Sequence, residues 1–177
     1  LQIINSVATW ILKKRIHQME LFLKYPHEVQ EELLFNLIKS SENTQIGRKY
    51  DFSSMKNYTS FSERIPFSTY EDLEPLIERT RQGEQNVFWN SNIKWFAKSS
   101  GTTNAKSKFI PVGSEALENC HYKASKDLLC LYLNNNEDSQ MFTGKSLRLG
   151  GSKQLYEDNN TFFGDLSAIL IDNMPIW

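Results

Sequence analysis

The chain has 177 residues, 40% of them apolar and 12% aromatic, with 20 Lys and Arg against 21 Asp and Glu. This is enough apolar material to bury a core in one ordinary domain, or in a piece of a larger one. The formal net charge of −1 excludes bulk attraction to nucleic acid or an anionic membrane, so any anion site must arise from local clustering.

The start, Leu1 to Ser6, lacks the basic region and long apolar run of a signal peptide or a membrane span. Ile4, Val7, Trp10 and Ile11 fall at helical spacing, and Met19, Leu21, Phe22 and Leu23 continue the apolar face to Tyr25. Pro26 ends that helix, and Lys13, Lys14 and Arg15 read as its solvated face. A second helix is expected from Glu28 to Lys39, with Val29, Leu33, Leu37 and Ile38 as its stripe and acids near its start. Asn43 to Tyr50 reads as a turn-rich connector. A short helix is expected over Tyr58–Arg64, broken by Pro66. Thr69 is an N-cap for a helix bearing Leu73, Leu76 and Ile77 that ends near Gly83; Glu71 and Asp72 read as its first-turn acids.

From Val87 the pattern changes to short strand-like runs, Val87–Trp89 and Ile93–Ala97. Lys108–Val112 reads as another strand. Ser114 is expected to cap a long helix to Leu133 with Leu117, Cys120, Ala124, Leu128, Leu131 and Tyr132 on its apolar face. Ser146–Leu149 reads as a strand, Gly150-Gly151-Ser152-Lys153 as a turn and Phe162–Asp172 as a last helix. An apolar end at Ile176-Trp177 suggests a truncated chain or a proteolytic fragment. Cys120 and Cys130 fall on one expected helix, about 15 Å apart at 1.5 Å per residue, beyond disulfide reach. They read as free, buried thiols suited to a reducing cytosol. The three scattered histidines, His17, His27 and His121, do not supply paired zinc ligands.

One run concentrates chemistry. Ser99-Ser100-Gly101-Thr102-Thr103-Asn104-Ala105-Lys106-Ser107-Lys108 gathers five hydroxyls, one glycine and two lysines. No acidic residue lies between Glu84 and Glu115, whereas Lys94, Lys98, Lys106 and Lys108 do. Hydroxyls and glycine-exposed amides can surround phosphate oxygens, and a lysine adds a point charge. The run is not a Walker A loop, because Lys106 stands where that pattern needs its second glycine, and it lacks the glycines of a dinucleotide fingerprint. On residues alone it is either a phosphate cradle or a hairpin turn with solvated lysines.

The run resembles the phosphate-binding loop of adenylate-forming enzymes, the luciferase-like superfamily. Ser-Ser-Gly-Thr-Thr followed by Lys108-Phe109-Ile110-Pro111 is similar, more narrowly, to the auxin-responsive promoter (Gretchen Hagen) family of acyl-acid amido synthetases. Thr44-Gln45-Ile46-Gly47-Arg48-Lys49-Tyr50, Phe61, Pro66, Tyr70-Glu71-Asp72-Leu73 and Gly83 follow the same family order, in a form that looks closer to bacterial members. Asn104-Ala105 depart from the usual glycine. The resemblance implies an α/β fold: a helical region over 1–85, then part of the sheet-and-helix N-terminal domain over 86–177 with the phosphate loop at 99–108. A C-terminal lid is expected to be absent from this chain.

The family activates a carboxylic acid with ATP and Mg²⁺, then transfers the acyl group to an amino acid amine. Carried over residue by residue, Ser99, Ser100, Gly101, Thr102, Thr103 and Lys108 would hold the nucleotide phosphates, with Lys106 competing with Lys108. No catalytic residue and no metal ligand is assigned in this segment, and the magnesium ligands are expected outside it. The implied partners are small carboxylic acid and amino acid substrates, with no nucleic acid or membrane, in the cytoplasm. The segment alone is expected to be inactive. The alternative is a non-catalytic anion- or partner-binding module on the same scaffold; a DNA-binding role is disfavoured by the charge balance. Phe88, Trp89, Trp95 and Phe96 read as core before pocket, and His121 as a partly buried packing residue before a base.

Overall fold

A computed structural model describes residues 2–99, 107–145, 147, 155–158 and 160–174. The chain forms two compact units: Leu1–Gln30 with Glu118–Leu149, and Glu31–Leu117 with Gly150–Trp177.

The first unit sets α1 (Gln2–Lys13) and α2 (Ile16–Lys24) against α8 (Lys123–Asn135). The single helix expected to Tyr25 is therefore two. At the break the Arg15 amide donates to Leu12 O at 3.0 Å, a tighter turn than the α-helical one. Arg15 also departs from the solvated face expected of it. Its guanidinium donates to both carboxylate oxygens of Asp127, at 2.7 and 3.1 Å. The Asn5 side chain donates to Ser139 O at 3.0 Å and accepts from the Phe142 amide at 3.2 Å. The Cys130 thiol donates to Leu12 O at 3.0 Å.

The helix expected from Ser114 is capped by Gly113, with Ser114 as its first residue. It runs as α7 (Ser114–Ala116), a π-helical segment Leu117–Tyr122, then α8. The wider π turn shifts the phase of everything after it. Tyr122, Cys130 and Leu133 are buried, while Cys120, Ala124, Leu128, Leu131 and Tyr132 are exposed. The expected apolar face is thus rotated outward. Both thiols are free, but only Cys130 is buried.

The second unit contains most of α3 (Pro26–Ser41), which begins on Pro26 itself, where a missing amide costs nothing. The connector expected at Asn43–Tyr50 holds a helix, α4 (Gln45–Lys49). Its first amides are all satisfied: Gln45 N by Asn86 O at 2.8 Å, Ile46 N by Val87 O at 3.2 Å and Gly47 N by Thr44 Oγ1 at 3.0 Å. A 3₁₀ turn, Phe52–Ser54, leads to α5 (Tyr58–Arg64), capped by Asn57. Next comes α6 (Tyr70–Arg81), where Thr69 and Asp72 form a capping box. Gly83 follows at φ 100°, a left-handed conformation that glycine adopts without strain.

Among the described residues the sheet has four strands in the order β2-β1-β4-β3: β1 (Trp95–Lys98), β2 (Phe109–Val112), β3 (Leu155–Asp158) and β4 (Thr161–Gly164). β1 pairs antiparallel with β2 and parallel with β4, and β3 pairs antiparallel with β4. Pro111 sits on the edge strand β2, where it removes no ladder bond needed by a further neighbour. Val87–Trp89 is not a strand; its Val87 carbonyl caps α4 instead. The helix expected over Phe162–Asp172 is β4 followed by a shorter helix, α9 (Leu166–Asp172). Ile77, Ile93 and Phe96 are buried together, with Tyr70, Leu73, Phe88, Trp89, Phe109 and Phe163 packed around them. Trp95 stacks on Phe162 with ring centroids 4.8 Å apart. The turn expected at Gly150–Lys153 and the strand expected at Ser146–Leu149, apart from Leu147, lie outside the described residues.

Candidate phosphate-loop hairpin

β1 and β2 are the two arms of an antiparallel hairpin, and the hydroxyl-rich run joins them. Ser100, Gly101, Thr102, Thr103 and Lys106 lie outside the described residues. Ser99 and Lys108 are described, and they close the base of the run. The Ser99 amide donates to Lys108 O at 2.9 Å, and Ser99 Oγ accepts from the Lys108 amide at 3.0 Å. A serine hydroxyl that accepts one bond keeps its proton for another acceptor. Its position at the mouth of the run is thus compatible with holding an anion.

Lys108 meets groups that the sequence does not bring near it. Its Nζ donates to Glu71 Oε1 at 2.8 Å and stands 4.7 Å from the centroid of the Tyr70 ring. The bond from Lys108 holds the Glu71 carboxyl below its ordinary value. Glu71 is therefore more than a first-turn acid of α6. Asp72 does serve as one: it accepts from the Thr69 amide at 2.8 Å, and that bond is the main cause of its lowered pKa.

Tyr70 fastens the strand that carries Lys108. Its hydroxyl accepts from Phe109 N at 3.0 Å and donates to Phe109 O at 3.4 Å. Both are groups of an edge strand, and the phenol satisfies them without a neighbouring strand. Behind it, Phe109 meets Phe163 edge-on with centroids 5.5 Å apart, and the Arg81 guanidinium lies 5.4 Å from the Phe109 ring. Arg81 is paired in turn with Glu78 at 2.8 Å, and Thr161 Oγ1 donates to Arg81 O at 2.9 Å. The hairpin base is thus braced by α6 and β4. The sequence holds no signal for the Tyr70–Phe109 and Glu71–Lys108 contacts beyond the Tyr70-Glu71-Asp72-Leu73 run itself, because they join residues 37 to 39 positions apart.

Of the aromatic residues read as core, Phe96 is fully buried and Phe88 and Trp89 pack on its cluster, whereas Trp95 is half-buried against Phe162. His121 is half-buried in the π-helical segment. Among the described residues, no three His, Cys, Asp or Glu side chains gather as a metal-ion site, and no helix is long and apolar enough to cross a membrane.

Comparisons with known proteins bear on the fold and the family. The chain is 29% identical over 143 residues to jasmonoyl-L-amino acid synthetase JAR4 of Nicotiana attenuata, across 78% of this chain and 24% of that protein. It is 30% identical over 106 residues to indole-3-acetic acid-amido synthetase GH3.2 of Arabidopsis thaliana, across 59% of this chain and 19% of that one. The chain thus spans about a quarter or less of the length of these relatives. Two solved structures share the fold. One, described as GH3.15 acyl acid amido synthetase, has a TM-score of 0.77 at 20% identity, covering 93% of this chain and 29% of that one. The other, AtGH3.15 acyl acid amido synthetase in complex with 2,4-DB, has a TM-score of 0.70 at 21% identity, covering 83% and 26%. The GH3 family N-terminal domain matches residues 15–177, and the chain belongs to that family.

Proposed function

We propose that this chain is the phosphate-gripping N-terminal part of an ATP-dependent acyl-acid amido synthetase. In the full-length protein, an acid carboxylate oxygen attacks the α-phosphorus of ATP and pyrophosphate leaves. An amino acid amine then attacks the acyl carbon of the adenylate, loses a proton and expels AMP. Both steps bring like charges or weak nucleophiles together, so positioning and electrostatic stabilisation supply most of the acceleration.

The observation that carries this reading is the hairpin base in a chain of this family: Ser99 and Lys108 face each other at the mouth of the hydroxyl-rich run. The Ser99 hydroxyl retains a proton to donate, and the Lys108 ammonium has three donors, one of which Glu71 uses. Both fit phosphate oxygens. Ser100, Gly101, Thr102 and Thr103 complete the proposed grip, with Lys106 as the competing cation. Magnesium supplies charge neutralisation on the phosphates when bound; its ligands are proposed to lie outside this segment. The substrates are a small carboxylic acid and an amino acid, and the compartment is the cytoplasm.

The test is ATP–pyrophosphate exchange by the full-length gene product with a panel of acids, followed by mass spectrometry for amides. Acid-dependent exchange and amide formation are expected, and Ser100→Ala or Lys108→Ala is expected to impair ATP use with the fold retained. Unchanged kinetics in both variants would mean that the run is only a turn. The segment alone is expected to show no exchange. A full-length protein that forms neither adenylate nor amide would instead favour the non-catalytic module.

A further inference from the structure

Glu71 and Tyr70 are neighbours at the start of α6, and both reach the last residues of the hydroxyl-rich run. Glu71 accepts from Lys108 Nζ at 2.8 Å. Tyr70 exchanges hydrogen bonds with the backbone of Phe109, the residue after Lys108, and offers its ring face to the same ammonium. One dipeptide thus fixes both the strand from which Lys108 projects and the head group at its tip. We propose that Glu71 is a positioning residue that holds the Lys108 ammonium ready for a nucleotide phosphate, with Tyr70 fixing its backbone. The inference rests on the reading of the run as a phosphate grip.

The Glu71–Lys108 pair is poorly suited to a purely structural role. The two side chains are 66% and 41% exposed, and exposed ion pairs contribute little to folding. Lysine has a long flexible stem whose freedom must be given up when it binds an anion. A partner that orders the stem in advance removes that cost from the binding step. The single bond to Glu71 leaves the ammonium with further donors for phosphate oxygens. A carboxylate at this position could also compete with phosphate for the ammonium. The two roles predict opposite changes in KM, and pre-ordering predicts a rise when Glu71 is removed.

The experiment uses the full-length gene product and MgATP, reading KM and kcat in pyrophosphate exchange. Glu71→Ala is expected to raise KM for ATP by about three- to tenfold, the span for ordering one long side chain. Its kcat stays within about twofold and its thermal midpoint falls only slightly, because an exposed ion pair contributes little to folding. Glu71→Gln keeps an acceptor oxygen and is expected to fall between wild type and Glu71→Ala; it carries the same comparison should the alanine variant fold poorly. Adding Glu71→Ala to Lys108→Ala is expected to change nothing further, because Glu71 acts through that ammonium. An unchanged or lowered KM in the Glu71 variants, beside a Lys108→Ala that raises it, overturns the inference and leaves the phosphate-grip reading standing. Full additivity in the double variant also overturns it. A silent Lys108→Ala overturns Lys108 as a phosphate contact, and the inference with it.

Discussion

Gly47 occupies a position where a β-carbon has no space. One added there would lie 2.8 Å from Glu42 O and closer still to Ser41 O. These are backbone atoms, and Ser41 O is held by two bonds, from the Thr44 amide at 3.0 Å and from Thr44 Oγ1 at 2.7 Å. Thr44 is fully buried, so its hydroxyl is both the cap of α4 and the clamp on the end of α3. Alanine ordinarily gains up to about 1 kcal/mol over glycine inside a helix. Here steric overlap outweighs that gain, and Gly47→Ala is expected to cost about 1–3 kcal/mol, the range of overpacking. Urea unfolding of the two forms measures it, and an equal or higher midpoint for the alanine form would refute the argument. Thr44 and Gly47 are visible in the sequence as turn residues. What the sequence does not display is that Asn86 and Val87, far along the chain, supply the carbonyls that turn this stretch into a capped helix.

Among the elements, the junction of α2 with α8 turns on one bidentate pair. Arg15 and Asp127 have side chains 17% and 22% exposed, and the bond to Asp127 raises the Arg15 pKa. Arg15→Ala removes the fork and leaves a partly buried carboxylate without it, at an expected cost of about 1–3 kcal/mol. Arg15→Lys recovers only part, because an ammonium cannot make the paired geometry. Hydrogen exchange at the amides of α2 and α8 reads this locally; unchanged protection in Arg15→Ala would show that the pair is decorative.

The same region shows where sequence reading reaches its limit. Elements with their own punctuation are legible. Pro66 bounds α5, the Thr69 cap marks α6, and Pro26, read as the stop of the helix before it, is also the first residue of α3. The break at Lys14–Arg15 has no proline or glycine to mark it, and the carboxylate that Arg15 meets there lies 112 positions away. The π-helical segment likewise leaves no mark, yet it rotates the buried face of α8. In Phe162–Asp172 a short apolar run fits strand or helix equally well. Pairing with β1 and β3 decides for a strand up to Gly164. Between β3 and β4, Asn160 sits at φ 63°, a conformation that asparagine tolerates. At the candidate site, the hydroxyl run is evident from composition, whereas the bracing by Tyr70 and Glu71 exists only once α6 lies along β2.

For the molecule as a whole, near-balanced charge places the electrostatic contribution to stability in specific pairs, and those pairs point in one direction. Among the described residues, at least five carboxyls lie below their ordinary values. Asp51 is lowered by the hydroxyls of Ser54 and Ser53, Glu71 by Lys108, Asp72 by the Thr69 amide and Glu84 by Arg79 and Gln45. In Glu115 burial pulls upward, but bonds from Ser91, its own amide, Ser114 and Trp89 outweigh it. A carboxyl depressed in the folded state contributes stability that is complete above its unfolded pKa, about 4 for Asp and Glu. That contribution is lost as pH falls through the folded value, because the unfolded chain then binds more protons. The thermal midpoint is therefore expected to fall progressively below about pH 4.5. Glu84→Gln isolates one contributor. Arg79 donates to Glu84 at 2.7 Å and to Gln45 at 2.8 Å, joining α4 to the end of α6. With glutamine at position 84, the midpoint at neutral pH is expected to drop slightly and the acid limb to become shallower. In about 1 M salt, where screening acts within roughly 3 Å, the two forms should converge, since both partners are 37–45% exposed. An acid limb of the same steepness in Glu84→Gln would mean that this pair has the same strength in the unfolded chain and contributes nothing to folding.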